Sequence, residues 1–82
     1  MAYGIRLSEE ALSELRKLDV KNSKRILKKA EQAATNLYFF ERLVGREEYE
    51  LRVVDYRILA RVLHEEHQIF VYSIGHRKNI YK

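Results

Sequence analysis

The chain reads as one small α+β domain of order β-α-α-β-β-β, an antiparallel sheet with two helices packed on one face. Three observations predict this. Apolar residues recur at helical spacing through the first half and alternate with polar ones from Tyr49 onward. The later strand-like runs are joined by short polar links, which connect antiparallel neighbours. The chain has 82 residues, 46% of them hydrophobic, enough for one domain, residues 1–82, around one two-layer core.

Ala2 to Leu7 reads as a strand, with Tyr3, Ile5 and Leu7 alternating against Gly4 and Arg6. Ser8 is a helix N-cap, and Glu9 and Glu10 suit the positive end of the helix it starts. Ala11, Leu12, Leu15 and Leu18 share one face of that helix. Asp19 caps a second helix, whose apolar stripe is Ile26, Leu27, Ala30, Ala33, Ala34 and Leu37. The alanines predict close approach to a flat neighbour. Lys21, Lys24, Arg25, Lys28 and Lys29 occupy the opposite face.

Between Asn36 and Glu48 the pattern is weak. Tyr38, Phe39 and Phe40 form an aromatic cluster expected to fill the core where helix meets sheet, any exposed part of it being a docking patch for a protein partner, and Gly45 marks a turn. Tyr49, Leu51 and Val53 then alternate with Glu50 and Arg52, and Asp55 is a turn residue. Tyr56, Ile58, Ala60 and Val62 alternate with Arg57, Leu59, Arg61 and Leu63. His64 to His67 forms a polar hairpin link before a last strand over Ile69 to Ile74. Alternation places several arginines on the sheet face that the helices leave open.

Composition narrows the function classes. Without cysteine there is neither a disulfide framework nor a thiolate metal site, and a reducing compartment is expected. His64, His67 and His76 are too few and too scattered for zinc, so no metal or cofactor is expected. No apolar run approaches the roughly 18 residues that span a bilayer, and the N-terminus lacks a signal-peptide core. A cytoplasmic protein without a membrane partner is the expectation. The net charge of +4 favours an anionic partner.

The run Tyr49-Glu50-Leu51-Arg52-Val53-Val54-Asp55-Tyr56-Arg57-Ile58, with the later Ile74-Gly75-His76-Arg77-Lys78-Asn79-Ile80-Tyr81, resembles the RelE/ParE toxin superfamily, its RelE branch in particular. The two helices ahead of these motifs match as well, so the likeness covers nearly the whole chain. The resemblance implies a toxin of a type II toxin–antitoxin system. RelE-like members are ribosome-dependent endoribonucleases that cut messenger RNA in the A site; ParE-like members poison DNA gyrase and lack the nuclease residues. Both kinds are held inactive by a cognate antitoxin, so the implied partners are an antitoxin in a hetero-oligomer, the ribosome and mRNA.

Metal-free RNA cleavage uses the ribose 2′-OH as nucleophile. It needs a base for that hydroxyl, cations for the charge growing on phosphorus, and an acid for the departing 5′-oxygen. Arginine cannot serve as an ordinary base but clamps phosphate through two parallel hydrogen bonds. Tyrosine ionises more readily beside arginines. The resemblance assigns Tyr81 as base or acid, Arg57 and Arg77 as phosphate clamps and Arg52 as a further cation. Lys78, Arg46, Arg61, His76 and Lys28 are additional RNA-binding candidates. Glu50 stands where some active members carry a second lysine. It is open to two readings, as a base or as a charge that repels RNA, and Lys78 or Arg46 could restore the missing cation.

Each assignment has a plainer rival. Arg57 and Arg61 can pair with acids on a solvated sheet face, and Tyr81 can pack on a sheet edge. His76 fits a structural histidine after Gly75, His64 and His67 fit exposed hairpin positions, and the run from Lys21 to Lys29 fits a solvated helix face, with contact to ribosomal RNA as its functional alternative. The leading expectation is a RelE-type nuclease. Its competitors are a ParE-like gyrase inhibitor and an inactive nucleic-acid-binding relative.

Overall fold

Side-chain caps start both helices. The Ser8 hydroxyl accepts from the Ala11 amide at 3.0 Å, opening α1 (Glu9–Lys17), and Asp19 Oδ1 accepts from the Asn22 amide at 2.9 Å, opening α2 (Val20–Thr35). Glu9 and Glu10 lie in the first turn of α1, and Arg16 and Lys17 in its last, each matched to the helix dipole. The computed structural model describes residues 2–43 and 48–80. Five strands accompany the helices: β1 (Gly4–Leu7), β2 (Glu41–Arg42), β3 (Tyr49–Val53), β4 (Tyr56–Leu63) and β5 (Gln68–His76).

The sheet order is β1-β5-β4-β3-β2. The run β2 to β5 is antiparallel throughout, as the short links require. β1 departs from the expected all-antiparallel sheet: it lies parallel to β5, with Gly4 opposite Gln68 and Leu7 opposite Val71. The sheet is therefore mixed. The direction of β1 is set by which edge the meander leaves vacant, and no residue local to β1 encodes that.

Two short elements fill the weakly patterned stretch. A 3₁₀ turn spans Leu37–Phe39, with the Asn36 side chain accepting from the Tyr38 amide at 3.1 Å, and β2 adds two residues to the edge of β3. Of the aromatic cluster only Phe40 is buried; Tyr38 and Phe39 are exposed.

One face of the sheet carries the core. Leu51, Ile58 and Ile74 form a cross-strand row, and Ala60, Ile69 and Val71 extend it. Against them pack Ile26, Ala33 and Ala34 of α2 with Ala11 and Leu15 of α1. The predicted alanine stripe thus lies where α2 meets the sheet.

Alternation then directs Glu50, Arg52, Arg57 and Arg61 to the other face. A β-bulge sets how β5 meets them. Leu59 is opposite Ser73 but Ala60 is opposite Val71, so Tyr72 is an extra residue on β5. The insertion shifts the alternation by one, which brings Gly75 opposite Arg57 and Phe70 opposite Arg61. Among the described residues, no helix is long and apolar enough to cross a membrane.

Candidate functional site

Arg52 and Arg57 are direct cross-strand partners on the open face of β3 and β4. Two like charges so placed repel each other. Glu50, two residues before Arg52 on the same face, offsets that repulsion. Its carboxylate is 6% exposed; Oε1 accepts from Arg52 Nε at 2.8 Å and stands 3.7 Å from Arg57 Nε. Glu41, opposite Glu50 on β2, brings Oε2 to 3.6 Å from Arg52 Nη2. Two carboxylates and two guanidiniums therefore alternate across three strands.

The two arginines differ in what they can still do. Arg57 is 14% exposed, and its Nη1 donates to the carbonyls of Val54 at 3.1 Å and Tyr56 at 3.0 Å. It ties the β3–β4 turn to the Glu50 carboxylate. That turn carries Val54 at φ 56°, a left-handed conformation costly for a β-branched residue. Arg52 is 60% exposed and faces outward. The hydrogen bond it donates to Glu50, then the charges of Glu41 and Glu50, raise its pKa above the ordinary arginine value. A cation stabilised in this way loses its proton only as pH rises through that raised value, so Arg52 is charged at every working pH.

Arg77 follows β5 directly. Its amide donates to the Asp55 carbonyl at 2.8 Å, and Nε lies 3.8 Å from Asp55 Oδ1, which docks the segment after β5 on the β3–β4 turn. The side chain is 56% exposed. His76 is engaged structurally: Nδ1 accepts from the Lys78 amide at 3.2 Å, and its ring meets Tyr56 edge-on at 5.7 Å. Lys78 is exposed beside it. The chain then folds back so that a Cβ at Gly75 would lie 3.2 Å from Ile80 Cδ1, a tight contact that the Ile80 side chain would have to ease.

The remaining candidates spread outward. Arg61 is exposed, four residues along β4 from Arg57, opposite Phe70. Arg6 covers that same ring at 5.9 Å. Lys28 lines an open cleft of about 310 Å³ with Arg25, Lys29 and Gln32 of α2 and with Arg52, so Arg52 belongs to both the sheet face and the helix flank. Tyr81 and Arg46 lie outside the described residues. His64 accepts from or donates to the Tyr3 hydroxyl through Nδ1 at 2.9 Å, pinning the hairpin to β1. No cluster of metal-ligating side chains occurs among the described residues.

Sequence reasoning missed Glu41 and the docking role of Asp55, and it offered Arg25 and Lys29 only within the basic run Lys21 to Lys29, without their place beside Arg52. The first needed β2, which two residues cannot signal by periodicity. The others follow from packing of α2 and of the post-β5 segment against the β3–β4 end of the sheet.

Comparison with known proteins places this geometry. A family profile described as the ParE toxin of the type II toxin–antitoxin system parDE matches residues 5–81. No curated protein sequence matches significantly. Among solved structures, free Escherichia coli RelE carrying two arginine-to-alanine substitutions is 30% identical with a TM-score of 0.82, over 99% of this chain and 90% of that one. RelBE from Escherichia coli is matched at 30% identity and a TM-score of 0.76, over 92% and 96%. The Mycobacterium tuberculosis RelBE2 complex shares the fold at 21% identity, with a TM-score of 0.86 over 94% and 100%. Strand order, helix pair and terminal motif thus agree with a match across almost the entire chain, and the protein belongs to the RelE/ParE superfamily of type II toxins.

Proposed function

We propose that this toxin is a ribosome-dependent endoribonuclease of RelE type that cuts mRNA in the A site and is held inactive in the cytoplasm by a cognate antitoxin. The observation that carries the reading is the pairing of Arg52 with Arg57 across β3 and β4, with Arg77 docked on the turn that joins those strands. Its likeness to Escherichia coli RelE at 30% identity supports the same branch. The antitoxin follows from similarity to RelE chains solved in complex with RelB, from Escherichia coli and from Methanococcus jannaschii.

In this reading the 2′-OH attacks the adjacent phosphate and the 5′-oxygen departs. Arg52 and Arg77 are the exposed cations that meet the charge growing on the phosphorane. Arg57, largely bonded to the protein, holds Glu50 and the turn in place beneath them. Tyr81 exchanges the proton with the nucleophile or the leaving group. Glu50 competes with phosphate for Arg52, so RNA binds by displacing one carboxylate contact or by using the guanidinium nitrogens that Glu50 leaves.

A second reading is a gyrase inhibitor without chemistry. The ParE profile favours it, and so does the neutralisation of Arg52 by Glu41 and Glu50. An in vitro translation reaction separates the two. Message cleavage that is lost in Arg77→Ala and Tyr81→Phe supports the nuclease; intact message with blocked DNA supercoiling supports the inhibitor.

A further inference from the structure

The cleft beside Arg52 continues into an aromatic step that the nuclease reading leaves unused. Among the described residues its polar lining is Arg25, Lys28, Lys29, Gln32 and Arg52, four cations of which Arg52 is also paired with Glu41 and Glu50 on the sheet face. Lys29 also stands over the Phe39 ring, 4.4 Å from its centroid. This one lysine therefore joins the cleft to the 3₁₀ turn. Next to Phe39, Tyr38 is 97% exposed, its ring free in solvent.

Such exposure is not a loose end. The Asn36 side chain holds the Tyr38 amide, the Phe40 amide donates to the Leu37 carbonyl at 3.0 Å, and Phe40 is buried in the core. The turn is pinned at both ends while its middle ring stands out. Tyr38 borders a cleft of about 610 Å³ with Thr35, Leu37, Phe40, Arg42 and Tyr49, where the only charged side chain among the described residues is again a cation. Here a projecting ring lies beside a cation over an aromatic face and a row of basic side chains. That combination suits a polynucleotide whose phosphates follow the cations and whose unpaired base stacks on the ring.

We propose that Arg52, the basic flank of α2, Phe39 and Tyr38 form a track for single-stranded RNA, with Tyr38 as a base-stacking step. The track deepens the nuclease reading, since it would lead a strand to or from Arg52, yet it requires only binding. Duplex RNA presents phosphates but no unpaired base, so Tyr38 discriminates between the two forms. The strand that occupies it is message or an unpaired stretch of ribosomal RNA; both offer the same chemistry.

The test is fluorescence anisotropy at low salt with the full chain. The probes are a labelled single-stranded RNA of about a dozen nucleotides, 2′-O-methylated so that 2′-OH attack cannot occur, and a duplex of the same sequence. Tyr38→Ala is expected to weaken single-strand binding about tenfold and leave duplex binding unchanged, while Tyr38→Trp retains affinity. Lys29→Ala should weaken both probes. Unchanged single-strand affinity in Tyr38→Ala would overturn the proposal, as would equal losses on both probes. If Tyr38→Ala instead weakens only the complex with the cognate antitoxin, the step is a protein interface and the proposal is wrong. Since the probe cannot be cut, binding without cleavage in translation extracts would sink the nuclease reading alone. Comparing the wild-type affinity for a message oligonucleotide with that for an unpaired ribosomal RNA segment distinguishes the two sources.

Discussion

The Glu50 carboxylate, 6% exposed on the open sheet face, lies 2.8 Å from Arg52 Nε and leans toward Arg57 Nε at 3.7 Å. The basic sheet face is thereby built around an internal anion. Burying a lone carboxylate is costly, so the fold itself requires the two arginines as its counterions.

Arg57 is the structural member of the pair. Removing it takes a donor from the Val54 and Tyr56 carbonyls and, among the described residues, leaves the buried Glu50 carboxylate paired with Arg52 alone. Arg57→Ala should destabilise the protein by about 2 kcal/mol, lowering Tm by roughly 10 °C in calorimetry. Arg77→Ala, at an exposed side chain with a 3.8 Å contact, should shift stability by less than about 0.5 kcal/mol.

The strained turn gives a prediction of opposite sign. Val54 is 67% exposed and held at φ 56°, where its branched side chain crowds the backbone. Val54→Asn should stabilise the domain by about 1 kcal/mol, because asparagine tolerates this region. A lower denaturation midpoint in urea would show that the valine side chain contributes packing that outweighs the strain.

Glu50→Gln tests the internal anion. The substitution keeps the volume and an acceptor but removes the negative charge beside Arg52. Binding of the 2′-O-methylated RNA should tighten several-fold, with a steeper dependence on salt. Weaker binding would mean that the carboxylate orients the guanidiniums for RNA instead of competing with it.

The arginines of the open face should also differ in effect. Arg77 docks on the turn beside the Arg52–Arg57 pair, whereas Arg61 stands four residues away along β4. Arg77→Ala should cost far more message cleavage in translation extracts than Arg61→Ala. Equal losses would extend the reacting centre along the whole strand.

Much of this was legible in the chain. Ser8 and Asp19 announce their helices, the alternation from Tyr49 onward separates Leu51 and Ile58 from Arg52 and Arg57, and the Gly-His-Arg ending identifies the family. What stayed hidden depends on pairing between distant segments. The parallel placement of β1 follows from a vacant edge of β5. The Tyr72 bulge resets which β5 residues meet the arginines, and simple alternation along β5 would have misassigned them. Glu50 was visible as a departure from a lysine, but its burial was not: only the register that sets Arg52 opposite Arg57 makes it their shared counterion. Tyr38 was expected inside because aromatic residues usually are, and the Asn36 cap turns it outward.

The nuclease reading requires that this toxin cut RNA through attack by a ribose hydroxyl on the phosphate 3′ to it. The direct measurement uses ribosomes programmed with a message carrying one 2′-deoxynucleotide at the mapped cleavage position in the A-site codon. Cleavage of the all-ribose message, leaving a 2′,3′-cyclic phosphate, and none of the deoxy-substituted one is expected. Equal cutting of both messages would contradict it.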